Sequence, residues 1–285
     1  MGLTIMTSTP QSLHENQLNA WVKRICSSPI PVLKLTAREV GRLQADEDNI
    51  SARAITGVVL NDPMMTFKVL SYAQQHKGRS QLQDLAQVEQ AVMMMGTSAF
   101  FRNVPPTPLV EDVLKTNLPA LMQLLKLIKR AHRAANFAVE WAAHLNDLHS
   151  EEVLIAALLH DLSEMLMWCY APDEMTRIHE IQLADKHLRS KVVQQEVLGF
   201  VLLDLQKELV SRFQLPPLLN KLMLDEFAHE VRVKNVILAV NLARHSANGW
   251  DDAALPDDYH DIAELLRMDL EKTKRVLGVP EITSS

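Results

Sequence analysis

The sequence predicts an all-α protein built as a two-lobed helical bundle, and three features carry that reading. Only 8 of 285 residues are glycine and 5% are aromatic, too few for the tight turns and packed faces of a sheet protein. Leu, Ala, Met, Gln and Glu dominate, and these residues favour helix. No stretch alternates apolar and polar residues at period two for a useful length, whereas helical spacing recurs throughout. A length of 285 residues suits one large domain or two lobes, because single cores stop growing at about 250–300 residues. The formal charge of −6 gives no basic footprint, so neither nucleic acid nor an anionic membrane is an expected partner. The start, MGLTIMTSTP, lacks the basic and apolar regions of a signal peptide, and no uninterrupted apolar run reaches the ~18–20 residues of a membrane span. Cys26 and Cys169 make no metal or redox spacing. A cytoplasmic protein with reduced thiols is expected.

Taken in order, a helix is predicted over 13–26, with Leu18, Trp21, Val22 and Ile25 on one face. Pro29 and Pro31 hold the next stretch extended before a second helix to about Ala45. Ser51 is placed to cap a third. In Asn61-Asp62-Pro63, Asp62 reads as an N-cap and Pro63 as the first helical residue, where its missing N–H costs nothing. Asp84 is expected to cap LAQVEQAVMMM, with Gly96 as a left-handed C-terminal cap and a short helix starting at Thr97. The PPTP run at 105–108 marks the lobe boundary, giving lobes at 12–116 and 117–285. A long helix follows from about Pro119 to Asn146.

The stretch Ser150–Tyr170 organises the second lobe. Ser150 is placed to cap it, and every side chain from Val153 to Leu159 is apolar. A surface helix would show a polar stripe over that length, so this one is expected to be enclosed by other helices. His160 and Asp161 follow directly, where ionisable groups are costly to bury without partners or a metal ion. Both are expected to be substantially buried. Further helices are predicted over 172–188, 190–213, 217–227, 231–247 and 256–278.

The order of these marks resembles the HDOD family, the HD-related output domains of bacterial signalling proteins. The residues that carry it are PIP at 29–31, NDPMMTFKVLSYAQQ from Asn61, LAQVEQAVMMMG from Leu85 and LIAALLHDLSEML from Leu154, and they cover about residues 25–225. The chain departs from the family at Gln74-Gln75, where Asn-Ser is usual, and at Ala156-Ala157, where Ala-Gly is frequent. The family is similar in fold to the HD phosphohydrolases, which gather His, His-Asp and a distant Asp around metal. The resemblance implies His132 for the first His, with His144 as the fallback, then His160 and Asp161 for the doublet. It places Asn241 at the last corner.

Asn241 offers a neutral oxygen where the enzymes use a carboxylate, and Ser163 and Glu164 replace the Gly and Lys of the HD-GYP enzymes. The leading expectation is therefore a non-catalytic bacterial signal-transduction module with a vestigial metal site at His132, His160, Asp161 and Asn241 and no resident cofactor. It would bind a signalling protein partner or a small ligand, in a cleft between the lobes near PPTP, and homo-oligomerisation is left open. Asn241→Asp is expected to restore metal affinity. The alternative is an HD-type phosphohydrolase acting on a nucleotide or phosphoester with Mn, Fe, Mg or Zn. No nucleophile–base motif, phosphate-binding glycine loop or CxxC supports another enzyme class.

Overall fold

A computed structural model describes residues 10–46, 49–77, 85–185 and 187–280, and among them the fold is helical with no strand. The first half holds α1 (Pro10–Cys26), α2 (Lys34–Gln44), α3 (Ala52–Val59), α4 (Pro63–Gln75), α5 (Val88–Met95), α6 (Thr97–Asn103) and α7 (Val110–Val113). The second holds α8 (Leu118–His144), α9 (Ser150–Leu159), α10 (Leu162–Tyr170), α11 (Pro172–Ala184), α12 (Ser190–Leu198) and α13 (Leu202–Arg212). It continues through α14 (Pro217–Leu222), α15 (Val231–His245), α16 (Leu255–Leu266) and α17 (Leu270–Val276).

Several predicted helices are shorter than expected, and each break has a local cause. Gly199, at φ +77°, ends α12 in the left-handed region and divides the predicted 190–213 helix. The carboxamide of Gln17 stands where a Cβ on Gly199 would lie, so any other residue would have to displace that side chain as well as adopt a strained φ. Arg267 takes φ +53° and divides the predicted 256–278 helix into α16 and α17. Gly96 has positive φ, at 82°, but an extended ψ of 150°, and so joins α5 to α6 without forming a left-handed cap. Ser150 is the first helical residue of α9 and makes no cap. The expected cap at Asp84 lies outside the described residues; α5 itself begins at Val88, whose N–H donates to the carboxylate of Glu151 in α9, 3.2 Å away.

Packing encloses α9 as its composition demands. The long α8 lies along it on one side, α15 on another, and α4 and α14 complete the sleeve. Ile155, Ala156, Leu158 and Leu159 are wholly buried. The Ser150–Tyr170 stretch is long and apolar enough to pass for a membrane span, but most of it is covered by neighbouring helices and belongs to the apolar core.

The two halves share one continuous apolar core, and specific bonds tie them together. Phe67 of α4 meets Phe213 edge-on at 4.8 Å, and Tyr170 Oη donates to the Pro29 carbonyl at 2.7 Å. The PPTP run, read from sequence as a boundary, is stapled to the first half of the chain. Lys68 Nζ donates to the carbonyls of Pro105 and Thr107 at 2.5 and 2.8 Å. Val32 N–H donates to Pro108, and Val110 N–H donates to Val32. Burial pushes the Lys68 ammonium down to about 8, against the pull of Asp62.

Asp62 does more than cap α4. One oxygen accepts from the N–H groups of Met64 and Met65 at 3.0 and 3.1 Å, as a cap should. The other accepts from Leu33 N–H at 2.8 Å, so the same carboxylate fixes the entry to α2. The side chain is fully buried; burial pushes its carboxyl up and the N–H donors oppose that rise. Asp62→Ala strands two buried donors, at Met64 and Met65, and a half-buried one at Leu33, so a loss of about 2 kcal/mol in urea unfolding is expected, at the top of the range for a simple cap. A change within error would show that the three contacts contribute nothing net.

Candidate functional site

The His-Asp pair sits at a break in the central helix. Regular α9 stops at Leu159 and α10 starts at Leu162, with Asp161 at φ −100°, ψ 26° between them. Adjacent residues on an unbroken helix would diverge by about 100°. Here the break brings them together, and His160 Nδ1 lies 3.1 Å from Asp161 Oδ1.

Breaking a helix inside an apolar core exposes backbone groups that must be satisfied. Gln206 of α13 supplies both partners. Its Oε1 accepts from Ser163 N–H at 2.7 Å and its Nε2 donates to the Leu159 carbonyl at 3.0 Å. Ser163 Oγ adds a bond to the Leu202 carbonyl at 2.9 Å. Ser163 and Gln206 are both 4% exposed, so water cannot replace these contacts.

Two guanidinium groups close on Asp161. Arg130 of α8 donates to Oδ2 at 2.8 Å, and Arg244 of α15 reaches Oδ1 at 3.3 Å. Arg130 also donates to Glu164 at 3.2 Å. The Asp161 side chain is 13% exposed and that of His160 16%, so solvent screening of these pairs is weak. Burial alone would raise the Asp161 carboxyl; Arg244, His160 and Arg130 outweigh it and hold it well below the usual carboxylate range. Burial pushes the neighbouring Glu164 up, with Arg130 opposing.

The remaining sequence candidates do not join this cluster. His132 is two residues from Arg130 and therefore on the opposite side of α8; its Nε2 lies 3.0 Å from the Asn61 carbonyl, next to the Asp62 cap. His144 meets the Leu266 carbonyl at 3.0 Å and ties α8 to the end of α16. Asn241 is half-buried on α15, and the side chain of that helix bonded to Asp161 is Arg244, one turn further on. Of the five candidates, counting His144 as the fallback, only His160 and Asp161 are hydrogen-bonded to one another.

These donors do not fit a divalent metal. Both oxygens of Asp161 are engaged by guanidinium groups, which would repel a dication. Among the described residues, no three His, Cys, Asp or Glu side chains stand together so as to hold a metal ion. A cleft of about 300 Å³ opens over the pair, and Arg130, Arg244, Glu164, Lys191, Gln194 and Leu203 are among the residues that line it. The sequence reading missed Arg130, Arg244 and Gln206. A single signal was available: Gln206 falls one position after Leu205 and three before Leu209, on an otherwise apolar buried face.

Two measurements check this geometry. Gln206→Ala should cost about 2–3 kcal/mol in urea unfolding, because it leaves an N–H and a C=O buried without partners; a loss under 0.5 kcal/mol, on the order of a surface change, would show that the break is satisfied some other way. Asp161 has a depressed folded-state pKa, so its contribution is fully present above its unfolded value of about 3.9 and is lost as pH falls through the folded value. Between about pH 5 and pH 2, wild-type stability should therefore fall more steeply than that of Asp161→Asn. Parallel pH profiles would contradict the ion pairs.

The HDOD domain family model matches residues 30–229. No curated protein matches the chain at a significant level. Among solved structures, a virulence factor from Campylobacter jejuni superposes with TM-score 0.65 at 18% identity, covering 93% of each chain. The MmoQ response regulator from Methylococcus capsulatus superposes with TM-score 0.64 at 16% identity, covering 88% of this chain and 98% of the other. At such identities the likeness is one of fold.

Proposed function

The chain belongs to the HDOD family, relatives of the HD phosphohydrolases, and on that premise we propose that it is a non-catalytic regulatory module of bacterial signalling that binds a partner protein or small ligand. The observation that carries this reading is the double arginine contact on Asp161. An HD enzyme uses that carboxylate to hold a metal, which lowers the pKa of a bound water and neutralises charge on the phosphate. Here Arg130 and Arg244 already neutralise it, and guanidinium groups cannot generate hydroxide at neutral pH. The same contacts join α8, α10 and α15, so anything that alters them alters how three core helices meet. That is the property a relay of conformational state requires.

The expectation that Asn241→Asp would restore metal affinity changes with this geometry. A carboxylate at 241 would stand one turn from Arg244 and be offered a cation already present. Wild type and Asn241→Asp should both show no rise in melting temperature on adding Mn²⁺, and neither should hydrolyse bis-p-nitrophenyl phosphate in its presence. Stoichiometric metal together with hydrolysis that Asp161→Asn abolishes would overturn the non-enzymatic reading and favour the phosphohydrolase.

A further inference from the structure

The cleft over the His-Asp pair has donors that the protein does not use. Arg130 Nε–H is buried with no hydrogen-bond partner and is closed off from the cleft, so the donors open to a ligand lie further out. Arg244 is 44% exposed along its side chain and makes one long bond, at 3.3 Å. Gln194 accepts from Leu202 N–H through Oε1, which leaves its amide N–H₂ free to donate. Lys191 completes the rim, and no ion pair joins it to a described carboxylate.

Charge in the cleft is unbalanced in one direction. Its lining holds the cations Arg130, Arg244 and Lys191 against the carboxylates Asp161 and Glu164, with His160 the one other titratable group. Both carboxylates already accept from Arg130, so the excess positive charge lies with Arg244 and Lys191, whose side chains are exposed. The volume, about 300 Å³, is at the bottom of the range of about 300–1,000 Å³ for ligand sites, so the occupant is compact. No Phe, Tyr or Trp lines the cleft, so a nucleobase would find no stacking platform.

We propose that this cleft binds a compact, non-aromatic metabolite bearing clustered anionic oxygens, a phosphate or polycarboxylate, held by Arg244, Lys191 and Gln194 above the His160–Asp161 pair. The site has thereby inverted its preference: a pocket whose enzyme relatives hold a cation takes an anion, because arginine side chains stand on the carboxylate. Fork-shaped guanidinium donors match phosphate and carboxylate geometry equally well, so the two sources share one recognition chemistry. The inference rests on the non-enzymatic reading of the same site.

Isothermal titration of the 285-residue chain with phosphate, pyrophosphate and citrate, each at constant ionic strength, tests it. At least one should bind saturably at millimolar concentration or below, and the three arms separate a phosphoryl from a carboxylate ligand. Arg244→Gln and Lys191→Gln should each weaken that binding about fivefold or more, as expected for loss of a charge-assisted contact, with helical circular dichroism unchanged. Arg38→Gln, at a remote exposed site, should bind like wild type. No saturable binding of any of the three, or equal weakening by Arg38→Gln, would overturn the proposal and leave the non-enzymatic reading standing. Metal-dependent hydrolysis would sink that reading, whatever the anion titration shows.

Discussion

A helix enclosed by apolar neighbours can be interrupted only if its freed backbone groups find partners inside the protein. The break between α9 and α10 meets that constraint through Gln206, which bonds to Leu159 on one side and Ser163 on the other. Once the break is stable, His160 and Asp161 can project together from the middle of the core. The second constraint then follows. A carboxylate 13% exposed needs compensating charge, and α8 and α15 deliver it as Arg130 and Arg244. Two of the helices that wall the central one, α8 and α15, therefore also supply a charge to its interruption, and α13 supplies the amide that satisfies its backbone.

Arginine and a metal ion solve the same electrostatic problem with different consequences. Either can neutralise Asp161, but a guanidinium is planar, donates from fixed directions and is attached to a helix. Its position therefore reports the positions of α8 and α15. Removing one partner of such a buried pair is strongly destabilising, by about 3–5 kcal/mol, because the other charge is left unpaired. Arg244 makes the longer and more exposed contact, so it is the member that can exchange Asp161 for another anion at least cost. The connection to the first half of the chain is equally specific. His132, on the far side of α8 from Arg130, meets the Asn61 carbonyl beside the buried Asp62 cap, so α8 touches the His-Asp site with one face and the DP turn with the other.

The helical class, the DP turn, the central apolar helix and the HDOD likeness were all legible in the sequence, because each rests on local spacing or on a residue with one conformational use. Pro63 after Asp62 admits few readings, and seven consecutive apolar residues from Val153 admit few surroundings. The site was legible only at His160 and Asp161. A motif alignment can place His132 and His144 on α8, but the direction each one faces depends on rotation about an axis 27 residues long, and an offset of two residues reverses the face. Arg130 and Arg244 carried no motif, since an arginine on a helix is ordinarily a solvated charge. Their role emerges only when α8, α10 and α15 are packed together.

The direct test of the arginine clamp is a crystal of the protein soaked in Mn²⁺ and measured at a wavelength where manganese scatters anomalously. The clamp predicts no anomalous peak within ligand distance of Asp161, with the Arg130 and Arg244 guanidinium groups still bonded to its two oxygens. A peak shared by His160 and Asp161, with either arginine swung away, would contradict it.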